Sequence, residues 1–228
     1  FVNILLGSWK SAEKWQNLLC MLLGTAGTGK TTTLKCALQL LTERGMQKYV
    51  VAAYTGVAAV NIGMSAITLH ELFQLRKTVA TSPGQLQPLS DVEMDAFLER
   101  MAGAQLLVVD EVSLLSKLLL KQIHDRLVEW RRATNRHDLA SLPFGGLAVI
   151  LAGDFGQLPP IANPASWSLV WLDAVHGAAE STALNHGARL LKSFTTVVRL
   201  RRVHRQVGQS LYKESLLRLR DGAMTKDD

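Results

Sequence analysis

Cysteine is scarce: the 228 residues hold two, at positions 20 and 36, and no C-x-x-C pair, so the usual redox and zinc motifs built on that spacing are excluded. Both are expected to be buried free thiols, in keeping with a reducing compartment. No apolar run approaches the roughly 18 residues that a membrane-spanning helix requires. The given N-terminal residues show neither a basic n-region nor a small-residue cleavage site, the features by which a secretory leader is read. Internal repeats and low-complexity tracts are also absent. A start at Phe1, in mid-pattern and without Met, leads us to expect a fragment of an intracellular protein with no membrane partner.

What is present is the composition of a globular domain, 48% hydrophobic and 19% charged. The net charge of +6 is unevenly spread, with nine Lys/Arg against four Asp/Glu in residues 191–228. Such a run fits either a polyanionic partner or an ordinary solvated helix face.

The most informative stretch is Gly24-Thr-Ala-Gly-Thr-Gly-Lys-Thr31, which fits G-x-x-x-x-G-K-[ST] without substitution. Leu19, Met21, Leu22 and Leu23 before it read as a buried strand, and Leu34, Ala37, Leu38 and Leu41 after it repeat at helical spacing. The motif therefore falls in a strand-to-helix turn, where a phosphate-binding loop belongs. Gly24, Gly27 and Gly29 let the backbone curl with its N–H groups inward, and the helix adds its positive end. Gly24, Thr25, Ala26, Gly27, Thr28, Gly29, Lys30, Thr31 and Thr32 are the expected ATP cradle. Lys30 is expected to reach the β- and γ-phosphates, and the Thr31 hydroxyl to hold Mg²⁺.

Further strands are expected at 49–54, 105–110, 147–152 and 195–200. Between them lie short helices around 55–63 and 68–73, a helix capped by Asp91 and running to Met101, and a long one from about Lys117 to Ala133. Residues 1–16 read as a broken helix around Gly7 and Ser8, 78–90 as a surface loop, and Leu211–Leu219 as a final helix. Strands alternating with helices imply an α/β fold, a parallel sheet of about five strands covered on both faces. Ligands of such sheets sit at the carboxyl ends of the strands. Gly24–Thr31, Thr55–Gly56, Asp110–Glu111 and Gly153–Gln157 all follow directly after apolar strands, so one edge collects them.

Asp110 and Glu111 close an apolar strand in the manner of a Walker B site. Asp110 is expected to hold Mg²⁺, and Glu111 to polarise the water that attacks the γ-phosphate. Gln157, in GDFGQLPP, carries both a donor and an acceptor, which suits a group that senses the γ-phosphate. Thr55 and Gly56 offer a hydroxyl and an approachable backbone to a nucleic-acid phosphate, and His70 a ring that could stack or donate. A structural role for His70 stays open, as does the choice among Arg199, Arg201, Arg202 and Arg205 for an inward-pointing arginine.

GTAGTGKT, AYTGVAAVNIG with TLHELF, VVDEVSLLS, PFGGLAVILAGDFGQLPPI, and VVRLRRVHRQ followed by LLRLRDG resemble, in order and spacing, the petite-integration-frequency (PIF-type) DNA helicases of superfamily one. The resemblance spans residues 18 to 222, and PFGG followed by GDFGQLPP is its most specific part. It implies a RecA-like P-loop NTPase fold and an ATP- and Mg²⁺-driven motor moving 5′ to 3′ on single-stranded DNA and unwinding forked duplexes. By matching position it implies Lys30, Glu111 and Gln157 as catalytic groups, Arg205 as an arginine finger, and Thr55, Gly56 and His70 facing DNA. The family's adenine-reading glutamine has no clear equivalent in residues 1–16. The chain is therefore expected to be a lead-in, 1–17, and a first motor domain, 18–228, without the second. Its expected setting is repair, recombination or telomere maintenance, in nucleus or mitochondrion if eukaryotic. Two alternatives are the helicase module of a helitron-type transposon and a nucleotide- and single-strand-binding module of little activity.

Overall fold

The computed structural model describes residues 1–75, 86–160, 167–170 and 178–204, with Ser215, Arg218 and Ala223. Six parallel strands, β1 (Leu19–Gly24), β2 (Tyr49–Ala53), β3 (Ile67–Thr68), β4 (Leu106–Asp110), β5 (Ala148–Gly153) and β6 (Thr196–Leu200), lie in the order β3-β2-β4-β5-β1-β6. The α/β expectation holds, with one strand more than the five expected. The addition is β3, whose two residues pair with Ala52 and Ala53. Two residues are too few to display an alternating pattern.

The central strands are buried on both faces, as parallel strands must be. Leu19, Leu23, Leu107, Val109, Val149 and Leu151 point to one core, and Cys20, Leu22, Leu106, Val108, Ile150 and Ala152 to the other. The first core is closed by α5 (Leu69–Leu72), α6 (Asp91–Met101), α7 (Lys117–Ala133) and α9 (Ala178–Lys192), through Leu72, Phe97, Ile123, Leu127 and Leu191 among others. The second is closed by α1 (Val2–Trp9), α2 (Ala12–Gln16) and α3 (Lys30–Glu43), through Leu5, Trp15, Leu34, Leu38 and Leu41. Two short helices, α4 (Gly56–Ile62) and α8 (His137–Ala140), complete the set of described helices.

Several local expectations need correction. The N-terminal break falls at Lys10 and Ser11, where the Ser11 hydroxyl accepts from Lys14 N–H to start α2, and Gly7 and Ser8 lie within α1. Ser90, not Asp91, caps α6, in a reciprocal capping box with Glu93. Cys20 is buried and its thiol pKa is pushed up to about 11 by that burial, but Cys36 is exposed. The apolar face of α3 runs through Leu34, Ala37, Leu38 and Leu41, and position 36 lies off that stripe. Helix α9 was not legible in the sequence. The loop expected at 78–90 lies mostly, and the helix at 211–219 almost wholly, outside the described residues.

The PFGG motif is a docking device. Phe144, Gly145 and Gly146 all have positive φ, at 53°, 61° and 64°. The turn is held against α7 by His124, whose Nδ1 accepts the Phe144 N–H at 2.9 Å, and by Arg131, whose Nε donates to the Gly145 carbonyl at 2.7 Å. It thereby sets where β5 begins.

Burial lowers the His124 pKa from the usual 6.5 to about 4, with His186 and Lys121 pushing the same way and Asp125 opposing. A nitrogen that accepts a hydrogen bond must be unprotonated, so acid removes this contact. Because the folded value lies below the unfolded one, the unfolded chain binds the proton first. Stability is complete above about pH 6.5 and declines toward pH 4, by at most about 1.4 kcal/mol per pH unit for this proton. His186, also lowered by burial, acts in the same sense. Thermal unfolding midpoints should fall over this window. His124→Asn, whose Oδ1 can take the same bond without titrating, should flatten the decline.

Candidate functional site

Strand register sets the site. Ala53 pairs with Asp110, Val109 with Leu151, Leu23 with Gly153 and Gly24 with Leu200, so β2, β4, β5, β1 and β6 end nearly level. The segments after them emerge along one edge.

The loop after β1 is closely fitted. A Cβ on Gly24 would lie 2.6 Å from Thr28 Oγ1 and 2.9 Å from the Leu200 carbonyl, so a side chain there would push apart the loop and β6. The buried Thr28 hydroxyl donates to the Thr25 carbonyl at 2.8 Å. Gly29, in the left-handed region, is the N-cap of α3. Lys30 Nζ donates to the carbonyls of Gly24 (2.7 Å) and Thr25 (3.2 Å), so its ammonium lies across the loop. Thr31 and Thr32 occupy the first turn of α3, and Ala26 is exposed in the loop. Gly24–Thr32 thus form one continuous loop and helix start.

Asp110 ends β4 and its Oδ1 accepts the Glu111 N–H at 2.9 Å. Glu111 is left-handed, at φ 61° and ψ 48°. A non-glycine residue there costs on the order of 1 kcal/mol or more, and such positions cluster at functional sites. Gly153 explains part of the fit, since a Cβ on it would lie 2.8 Å from the Val112 N of that turn. Burial raises the Asp110 pKa, opposed by the Glu111 N–H and the Lys30 charge. Burial also raises that of Glu111, opposed by its Thr55 contact.

For Mg²⁺ the available donors are suitable. The Thr31 hydroxyl and the second Asp110 oxygen make no hydrogen bond to a described side chain, and both are hard oxygen donors of the kind Mg²⁺ uses alongside substrate phosphates.

Beyond β5, the buried Asp154 builds the turn. Its Oδ1 accepts the Gly156 N–H (3.1 Å) and its carbonyl the Gln157 N–H (3.0 Å), leaving Gln157 exposed. Glu111 and Gln157 line a common cleft of about 510 Å³ with Ser113, Leu114, Gly156, Leu158 and Pro159. Asp154 was not singled out in the sequence, although an acid between two glycines directly after an apolar strand was a signal for such a turn.

Thr55 caps α4, accepting the Ala58 N–H at 3.1 Å, and donates to Glu111 Oε2 at 3.2 Å. Gly56 is the exposed first residue of α4. His70, in α5, meets Tyr54 edge-on with ring centroids 5.7 Å apart. The Phe73 carbonyl, just past α5, accepts from the buried Arg126 of α7 at 3.2 Å, which fixes that end. Arg205 lies outside the described residues. Its neighbour His204 donates its backbone N–H to the Gly27 carbonyl at 2.8 Å, so the chain after β6 touches the loop.

The sequence profile of the PIF1-like helicases matches residues 8–228. An ATP-dependent DNA helicase PIF1 from Candida albicans is 30% identical over 90% of this chain and 21% of its own length. Among solved structures, a Bacteroides Pif1 bound to ssDNA aligns with a TM-score of 0.67 at 28% identity, covering 98% of this chain and 48% of that one. A Bacteroides Pif1 helicase in complex with ADP-AlF3 and ssDNA aligns at 0.66 and 28%, covering 93% and 44%. The chain therefore spans about a fifth of the curated relative and about half of the solved chains. The parallel sheet with helices on both faces is the RecA-like arrangement of those structures.

Proposed function

The chain belongs to the PIF1-like helicase family, and from that premise we propose that it is the ATP-hydrolysing first motor domain of a DNA helicase. The observation that carries this reading is the convergence of Lys30, Asp110, Glu111 and Gln157 on one sheet edge, with Thr55 bonded to Glu111. In this reading Gly24–Thr32 cradle the phosphates of ATP, and Thr31 and Asp110 hold Mg²⁺, which neutralises charge on them. Glu111 takes the proton of the attacking water, Gln157 senses the γ-phosphate, and Arg205 serves as the arginine finger. Thr55, Gly56 and His70 face single-stranded DNA. We further propose 5′-to-3′ movement and unwinding of forked duplexes by the whole protein, within the cell's DNA repair, recombination or telomere maintenance, in nucleus or mitochondrion if the source is eukaryotic. These finer roles rest on the family resemblance.

The direct test of the DNA side is fluorescence anisotropy of a labelled single-stranded oligonucleotide across a salt series. Contacts mainly to phosphate should give affinity that falls linearly in log–log form with salt, with little sequence preference. A flat response would make the basic stretch of residues 191–228 a solvated face only.

A further inference from the structure

The Thr55 hydroxyl is committed twice. As N-cap of α4 it accepts from Ala58 N–H, and its O–H points to Glu111 Oε2. A hydroxyl has one proton to donate. Glu111, held in a left-handed conformation with its backbone N–H on Asp110, presents an acceptor-only carboxylate to it. A DNA phosphate oxygen is also an acceptor only, and a charged one that competes well for such a donor. The same proton cannot serve both with full strength.

We propose that Thr55 is a positioning residue whose single hydroxyl proton is exchanged between Glu111 and a phosphate of single-stranded DNA, so that DNA contact releases the Glu111 carboxylate for water activation. The inference rests on the functional reading above. It extends that reading by naming the joint between the two ligands. Thr55 and Glu111 sit at the ends of β2 and β4, whose residues Ala53 and Asp110 are register partners. The joint therefore spans adjacent strands and needs no domain movement. While Thr55 donates to Oε2, the carboxylate is held toward β2 and one of its lone pairs is occupied. When phosphate takes the proton, Thr55 keeps its capping bond, since that bond uses the oxygen as acceptor. The helix start is undisturbed, and what changes is the restraint on Glu111.

Two measurements test this on the 228-residue chain. The first is ATP turnover with and without a saturating oligo-dT. Thr55→Val should raise DNA-free turnover about threefold to tenfold, the factor expected from one lost hydrogen bond, and bring the ratio of DNA-stimulated to DNA-free turnover close to one. Thr55→Ser, which keeps both bonds, should restore the ratio. The second is binding of the same oligonucleotide without nucleotide. Coupling is reciprocal, so Glu111→Ala should tighten DNA binding more in the wild-type background than in Thr55→Val. The difference between backgrounds removes the purely electrostatic effect of losing a carboxylate. This arm remains decisive if loss of the cap lowers the activity of Thr55→Val. Equal tightening in both backgrounds, or a Thr55→Val turnover ratio equal to that of wild type, would overturn the proposal. A wild-type chain that neither binds the oligonucleotide nor hydrolyses ATP would instead refute the functional reading itself, and the joint with it.

Discussion

Lys30→Ala is expected to reduce ATP hydrolysis by at least about 10²–10³-fold while the fold persists. The ammonium is a concentrated positive charge lying across the Gly24–Thr28 loop, and a phosphate entering that loop meets it directly. What the side chain contributes to stability is small by comparison. It is only partly buried, and its bonds to the Gly24 and Thr25 carbonyls are each worth on the order of 1 kcal/mol net. Helix α3 keeps the residues through which it packs, Leu34, Ala37, Leu38 and Leu41. Circular dichroism should therefore show an unchanged fold with a modest drop in Tm, beside near-complete loss of phosphate release. Turnover equal to wild type in a folded variant would remove the loop from the mechanism.

Glu111→Gln separates binding from chemistry. The amide matches the carboxylate in shape, and its Oε1 can still accept the Thr55 proton, so the left-handed turn and the α4 cap should survive. What is lost is proton acceptance, for which the expected decrease in hydrolysis is about 10²–10⁴-fold. Affinity for a fluorescent ATP analogue should remain near that of wild type, since phosphate and metal contacts are assigned to Lys30, Thr31 and Asp110. Loss of nucleotide affinity would instead make Glu111 a metal ligand and reassign both acids.

The parts of the site that repeat a short local pattern were legible in the sequence. The loop Gly24–Thr31, the acids after an apolar strand and the long helix from Lys117 to Ala133 each announce themselves within a dozen residues. The level strand ends followed from the same reading, because parallel strands buried on both faces show as continuous apolar runs. What stayed hidden was pairwise and distant. Thr55 and Glu111 are 56 positions apart, and nothing in either segment reports that one hydroxyl faces the other's carboxylate. The left-handed Glu111 was equally invisible, since glutamate carries no signal for that conformation. The need for glycine at 153 was hidden too, since it comes from the Val112 backbone pressed against it. Cys36 was misplaced because composition, rather than helix phase, decided its burial. Helix α9 carries an interior glycine, Gly187, which weakened its helical signal. A Cβ at that position would lie 1.9 Å from the Lys117 carbonyl, so the residue that obscured the helix is the one that lets it pack.

The central claim is that one sheet edge both hydrolyses ATP and responds to single-stranded DNA. ATP turnover by the 228-residue chain, followed by phosphate release with Mg²⁺ while oligo-dT is titrated, tests it most directly. The account predicts slow hydrolysis that rises saturably with the oligonucleotide and vanishes in Lys30→Ala. Hydrolysis in the wild-type chain that is unaffected by saturating oligonucleotide, at a salt concentration where anisotropy shows the DNA bound, would contradict it.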